Sequence, residues 1–400
     1  MSPQEDLRAS YERLVRWLCG EAFPLWADRG LDPVSRGFVE RLSPDGTPIH
    51  DPQRARVVGR QIYAYALAPG FGWHGPAAAL VRYGLARLDN GFWTGDGLVR
   101  SVVARDGHVL RPDFDLYDHA FVLFGLAAAA AADPALTERL SCRAMASVAR
   151  IRASFRHPRA GFVEPAPPGA PLLANPHMHM LEAALAWLAV VPDPLWQRLA
   201  DEIAELCLER FLDPATGALR ERFDPDWSVL EGEAQGDLEP GHQYEWAALL
   251  VRWGRLTDRP DALAAAGRLI AFAEDHGIDP RRKLAVNGLD PRTLRHTDRR
   301  ARLWPQSERI KAHLAIASLG GSAASGALSR AAEATEGLLL YARHPVPGAW
   351  WEHLDEGGAP IREPSRASSL YHIVCAANEL RIALAPDMAA DRGALVSDLL

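Results

Sequence analysis

The chain has 400 residues, of which 48% are hydrophobic and 24% charged, a balance that suits a globular protein with a sizeable core and excludes a disordered or low-complexity chain. Its net charge of −7 leaves no basic footprint for nucleic acid, so a small or neutral ligand is expected. No apolar run reaches the roughly 18 residues of a membrane span, and the length admits two or three average domains or one large barrel.

The chain opens Met-Ser-Pro-Gln-Glu-Asp and enters an amphipathic stretch without a basic segment followed by an apolar one, so a cytoplasmic location is expected. Apolar residues at helical spacing then recur over residues 5–25, 56–68, 77–88, 116–132, 135–155, 176–191, 195–211, 242–257, 260–276, 305–319, 325–343 and 367–385, which predicts about a dozen helices. Between alternate helices stands a repeated punctuation. It reads Ser-Arg-Gly37-Phe-Val-Glu, Asp-Asn-Gly91-Phe-Trp, Arg-Ala-Gly161-Phe-Val-Glu, Thr-Gly217-Ala-Leu-Arg-Glu and Pro-Gly348-Ala-Trp-Trp-Glu, with a weaker member at Val286-Asn-Gly288-Leu. The first four glycines are 54, 70 and 56 residues apart, and each interval holds two helices and a loop. Such self-similarity marks stacked helical hairpins. An open solenoid would leave apolar terminal repeats exposed, and neither end reads as a cap. The expectation is therefore an all-α chain folded as an (α/α)6 barrel, a single domain over residues 1–400, with six inner helices, six outer ones and a cavity at one end. The Pro/Gly-rich stretch from Glu164 to Pro171 falls inside the repeat register and reads as a loop rather than a linker.

Cys19, Cys142, Cys207 and Cys375 are scattered without a CxxC pair, which suits reduced thiols rather than disulfides or a zinc site. Lys283 and Lys311 are the only lysines, so Schiff-base chemistry would have two candidates.

Six stretches carry groups capable of chemistry, each near a predicted inner-helix start. Arg56 and Arg60 share a helix face, where Arg60 could hold hydroxyls or a developing oxyanion, or pair with a structural carboxylate. Asp115 precedes Tyr117, Asp118 and His119 and reads as a helix cap. Asn175 as cap and Pro176 at the first helical position mark the next start. There His177 and His179, two apart, face opposite sides and cannot share a metal, while His179 and Glu182 stand three apart. In Glu239-Pro-Gly-His-Gln-Tyr-Glu-Trp246 the same spacing puts His242 and Glu245 on one face of a first turn, an imidazole and a carboxylate suited to proton transfer near neutrality. Trp304, in Arg302-Leu-Trp-Pro-Gln306-Ser-Glu308, offers a ring face on which a pyranose can stack, with polar groups beside it to read hydroxyls. Trp350-Trp351-Glu352 and Asp355 precede Ser368-Ser-Leu-Tyr371-His372, near the last inner-helix start. His179, His242 and His372 are thus expected at analogous places on separate inner helices, converging on one barrel mouth.

The stretches GRQIYAY (59–65), DLYDHAF (115–121), NPHMHMLEA (175–183), PGHQYEWA (240–247), RLWPQSE (302–308) and SSLYHIV (368–374) resemble, in order and over nearly the whole chain, the N-acylglucosamine 2-epimerase family of sugar epimerases and aldose–ketose isomerases. The resemblance implies an (α/α)6 barrel without metal or redox cofactor. It implies His242 and His372 as the acid/base pair and Arg60, His179, Glu245 and Trp304 lining the site; Tyr117 and Asn175 join them as candidate substrate-binding residues. The last two motifs look like the mannose-isomerase branch, which implies interconversion of D-mannose and D-fructose through a cis-enediol. A 2-epimerase would use the same residues. Arg366 departs from that branch, and with Arg56 and Arg302 it keeps an anionic, sulfoquinovose-type sugar in view. A glycoside hydrolase working with two carboxylates and a noncatalytic sugar-binding barrel are the readings from other classes. A monosaccharide is the expected partner, with no nucleic acid and no membrane, for a monomer or homodimer.

Overall fold

The computed structural model describes residues 2–164, 170–230 and 232–385. Most of the loop expected between Glu164 and Pro171 lies outside the described residues. In chain order the helices are α1 (Pro3–Trp17), α2 (Phe23–Arg29), α3 (Ala55–Leu67), α4 (Ala77–Arg87), α5 (Leu116–Ala132), α6 (Thr137–Phe155), α7 (Ala174–Val190), α8 (Pro194–Leu206), α9 (Pro240–Leu256), α10 (Pro260–His276), α11 (Leu303–Ala317), α12 (Ala324–Tyr341) and α13 (Ala367–Ala383). Their starts follow from local chemistry. Ser2 and Glu5 form a reciprocal capping box before Pro3, and Asp193 caps α8, which opens on Pro194. The single helix expected over residues 5–25 is instead two, joined by a π-turn at Leu18–Ala22. The same widened turn ends α4 at Leu88–Phe92 and α8 at Cys207–Phe211.

Helices α3, α5, α7, α9, α11 and α13 form the inner ring, each packed on the next, and α13 returns against α3. Each of the first five also packs on the helix that follows it in sequence, and α13 takes α1 as its outer partner. The (α/α)6 barrel is therefore closed by the first helix of the chain. Inner helices lie among neighbours on every side, which explains apolar runs such as Ala127 to Ala130, each at most 1% exposed. At the α3–α5 crossing a Cβ on Gly59 would lie 2.2 Å from the Phe121 carbonyl oxygen, so only glycine permits this approach. No helix among the described residues is long and apolar enough to cross a membrane.

The repeated punctuation turns out to stitch the ring at one end. The residues just before an inner helix pair with the hairpin that follows the next outer helix. Gln53–Arg54 pairs with Val102–Val103, Leu172–Leu173 with Arg222–Phe223, Ala301–Arg302 with His353–Leu354, and Ser365–Arg366 with Arg41–Leu42. Three of the four terminal glutamates of the punctuation accept from backbone N–H groups at helix starts. Glu40 accepts from the Arg54 amide, Glu164 from Leu116 and Glu352 from Arg366. In four of the six repeats one inner-helix side chain then grips its hairpin: His119 accepts from the Val99 amide, His177 from Phe162, Gln243 from Leu219 and Gln306 from Ala285.

The fifth member of the repeat is not where the glycine pattern placed it. Gly217 has φ +73° and donates its N–H to the Asp213 carbonyl; the equivalent residue, donating to Asp279, is Lys283 at φ +59°. Gly288 lies instead in a short strand pairing with residues 296–298. A non-glycine residue in the left-handed region hid this repeat from a search for glycine.

Candidate active site

The inner helices present their side chains to the barrel axis in register. The sixth residue of each is Arg60, Phe121, His179, Glu245, Glu308 and His372; three residues on stand Tyr63, Phe124, Glu182, Ala248, Lys311 and Cys375. Contacts tie these layers together. The Arg60 guanidinium lies 3.8 Å from the Phe121 ring centroid and Phe121 4.3 Å from His179; His179 Nδ1 is 3.9 Å from Glu245 Oε1. One layer above, toward the stitched end, is a cavity of about 160 Å³ lined by Arg60, Tyr117, Asn175, His179, Glu239, His242, Glu245, Arg302, Trp304, Glu352, Arg366, Ser368, Ser369 and His372. This is well below the roughly 300–1,000 Å³ of drug-sized sites and suits one monosaccharide.

All eight residues expected from the sequence, Arg60, Tyr117, Asn175, His179, His242, Glu245, Trp304 and His372, line that cavity. Three details differ from expectation. The partner of His242 is Glu221, both of whose carboxylate oxygens lie 3.0 Å from Nδ1, and not Glu245. His179 and His372 occupy the sixth helical position but His242 the third, one turn nearer the mouth. Asn175 is not a cap: α7 already begins at Ala174, so Asn175 stands in the first turn with its side chain at the cavity. Asp115 does cap α5, accepting from the Asp118 amide at 2.9 Å.

Trp304 joins the two candidate proton-transfer groups. Its ring centroid is 5.1 Å from that of His242 and 5.7 Å from that of His372. A Cβ on Gly241 would lie 2.3 Å from the indole, so the Pro-Gly start of α9 is what leaves room for it. Each histidine gives Nδ1 to a carboxylate, His242 to Glu221 and His372 to Glu308 at 2.8 Å. Neither Nε2 has a protein hydrogen-bond partner among the described residues, which leaves that nitrogen for a ligand.

The two imidazoles differ in charge. Burial opposes a charge on His242, but Glu221 and Glu239 outweigh it and push its pKa up to about 10. Burial, reinforced by the positive charges of Arg60 and Lys311, holds His372 well below the usual histidine range. Near neutrality the cavity therefore has an imidazolium on one side and a neutral imidazole on the other. His179 is also neutral, lowered to about 4 by burial against the opposing effect of Glu182, whose carboxylate lies 3.0 Å from its Nδ1. Burial raises Glu245 well above the carboxylate range, and the nearby Glu308 charge adds to this.

The cations at the cavity divide by partner. Arg60 donates to the Tyr117 hydroxyl at 2.7 Å. Arg366 stands 3.8 Å from Glu363, and Arg302 lies over the Trp304 ring at 5.7 Å with no carboxylate within 4.0 Å among the described residues. Arg56 does not reach the cavity; Asp118 and Asp115 hold it at 3.1 and 3.8 Å. His177, as its spacing from His179 required, faces away. Its Nδ1 donates to the Leu173 carbonyl and its Nε2 accepts from Phe162, a structural role.

Two buried trios, His179/Glu182/Glu245 and Glu245/Glu308/His372, bring their ligand atoms within 4.8 Å of one another. Sequence spacing gave no sign of them, because their members come from four helices. The Lys311 ammonium, 2.6 Å from Glu308, 3.8 Å from Glu182 and 4.0 Å from Glu245, sits among the same carboxylates and would repel a second cation. Glu221, Glu239, Glu352, Ser369 and Lys311 were missed as site residues. Glu221 and Glu352 were legible as the last letters of the repeat punctuation, and Lys311 as one of two lysines, three residues from Glu308.

The family model described as N-acylglucosamine 2-epimerase (GlcNAc 2-epimerase) matches residues 37–376. The chain is 38% identical over 379 residues to a mannose-6-phosphate isomerase of Rhizobium meliloti, covering 94% of this chain and 97% of that protein. The barrel superposes on a D-mannose isomerase crystal structure with a TM-score of 0.80 at 18% identity, covering 94% of this chain and 97% of that one. It superposes on the cellobiose 2-epimerase from Spirochaeta thermophila with a TM-score of 0.83, also at 18% identity and with the same coverage. The family match spans all six motif stretches and the cavity they line, and on that ground the chain belongs to the N-acylglucosamine 2-epimerase family of sugar isomerases and epimerases.

Proposed function

We propose that this protein is an aldose–ketose isomerase that interconverts D-mannose and D-fructose, or a closely related pair, by moving a proton between C2 and C1 through a cis-enediol. What carries the reading is the contrast between a charged His242 and a neutral His372, whose rings lie 5.1 and 5.7 Å from that of Trp304. Neutral His372 is the base: its Nε2 takes the C2 proton of the open-chain aldose and returns it to C1. Charged His242 is the acid: it gives a proton to O1 as the enediol forms and regains one from O2 as the ketose carbonyl appears. Arg60 holds the developing oxygen charge by its fork of donors, and Trp304 supplies the face for the sugar. No metal takes part in this scheme, because the acid and the buried cations already supply the positive charge.

A second reading has a specific observation behind it. Arg302 and Arg366 both line the cavity, and two guanidinium groups suit a phosphate; the Rhizobium meliloti relative is named for a phosphorylated mannose. Product analysis by NMR in heavy water decides, run on mannose, mannose 6-phosphate, glucose, N-acetylmannosamine and a sugar sulfonate. Fructose from mannose with deuterium on carbon is the expected result. Glucose as the first product points to a 2-epimerase, conversion of the anionic sugars alone overturns the neutral substrate, and a new reducing end from a glycoside overturns the isomerase.

A further inference from the structure

Beneath the cavity floor one ammonium group faces three carboxylates. Lys311, 2% exposed and absent from the cavity lining, stands one turn along α11 from Glu308. Glu308 divides its two oxygens: Oε1 lies 2.8 Å from His372 Nδ1 and Oε2 lies 2.6 Å from Lys311 Nζ. A buried carboxylate beside an imidazole ordinarily favours the imidazolium, and His242 beside Glu221, which has no other cation within 4.0 Å among the described residues, shows this outcome. An imidazolium cannot take a proton from carbon.

We propose that Lys311 is a positioning residue: by compensating the charge of Glu308 it lets that carboxylate orient His372 as the Nδ1–H tautomer while leaving Nε2 unprotonated toward the sugar. The inference rests on the reading of His372 as the base. The groups facing Lys311 from each packed element agree with it. Glu182 of α7 is itself held by His179 and by the Tyr371 hydroxyl. Glu245 comes from α9, and Cys375, Tyr371 and His372 from α13; burial keeps the Cys375 thiol and the Tyr371 phenol neutral. From α3 come Arg60 and the neutral Tyr63, and from α5 only Phe121 and Phe124, which carry no charge. Arg252, one layer deeper, is already paired with Glu379. Lys311 is thus the cation nearest Glu308.

The test is the Lys311→Met variant, which keeps the stem and removes the charge, read by nitrogen NMR of labelled histidine and by pH profiles. In the unaltered protein His372 should stay neutral, Nε2 unprotonated, from pH 8 down to pH 6. In Lys311→Met its titration should rise by about one pH unit or more, with the acid limb of kcat moving up by the same amount, turnover recovering toward alkaline pH, and KM changing little. Should Lys311→Met fail to fold, Lys311→Met with Glu182→Gln removes one charge of each sign and is read in the same way. A charged His372 at pH 7 in the unaltered protein, or an unchanged titration in the variants, overturns the proposal. The NMR readout does not depend on the reaction, so a Lys311-dependent His372 in a protein that proves to be an epimerase supports this inference while rejecting the isomerase.

Discussion

Both carboxylate oxygens of Glu221 lie 3.0 Å from Nδ1 of His242, so a residue from the hairpin after α8 sets the charge of a group on α9. His242 is raised from 6.5 to about 10. The charged form is therefore favoured by the fold, a contribution fully present below the unfolded pKa near 6.5 and lost as pH rises through about 10. Turnover that needs charged His242 should fall on the alkaline side near pH 10. Glu221→Gln should move that limb down by about one pH unit or more and so lower kcat at pH 10 by about fivefold or more, with little change near neutrality. A pH profile of kcat/KM for both proteins checks this, and an alkaline limb that stays in place counts against His242 as the acid.

Replacing either His242 or His372 by Ala should cut turnover by at least about a hundredfold, the usual order for a removed acid or base. Neither side chain is gripped by a hairpin amide; His372→Ala leaves Glu308 beside Lys311 and should melt close to the unaltered protein, whereas His242→Ala leaves Glu221 without its imidazolium and should melt lower while still folding. Circular dichroism melting with steady-state kinetics tests the pair, and near-normal turnover in both would remove the site assignment.

His177 is expected to behave in the opposite way. It is 3% exposed and bridges the Leu173 carbonyl and the Phe162 amide, so His177→Ala should cost about 1–3 kcal/mol by leaving buried groups unpaired. Its kcat, measured well below the melting temperature, should be unchanged. A loss of turnover without a loss of stability would place His177 in the reaction after all.

The buried carboxylates around Lys311 predict independence from divalent metal. Exhaustive treatment with a chelator should leave turnover within about twofold, since the reaction has His242 and Arg60 for charge stabilisation. Activity lost to the chelator and restored by zinc or manganese would instead assign a metal to one of the two His/Glu trios.

Helical periodicity and the recurring glycine punctuation determined the twelve-helix ring from sequence, because those signals are local: an inner helix is apolar all round, and a left-handed turn needs a residue that tolerates positive φ. The eight residues expected at the cavity, and found lining it, were legible for the same reason, each standing within the first turns of a helix whose start was marked, together with the family resemblance. What the sequence could not determine was partnership. His242 and Glu245 share a helix and the spacing of a pair, yet His242 bonds Glu221, 21 residues away, while Glu245 turns toward Lys311 and His179 on other helices. The contrast between a charged and a neutral histidine depends on which carboxylate each meets and on whether a cation lies behind it. Those carboxylate contacts, of 3.0 and 2.8 Å, link separate elements of the chain, and only closure of the ring brings them together.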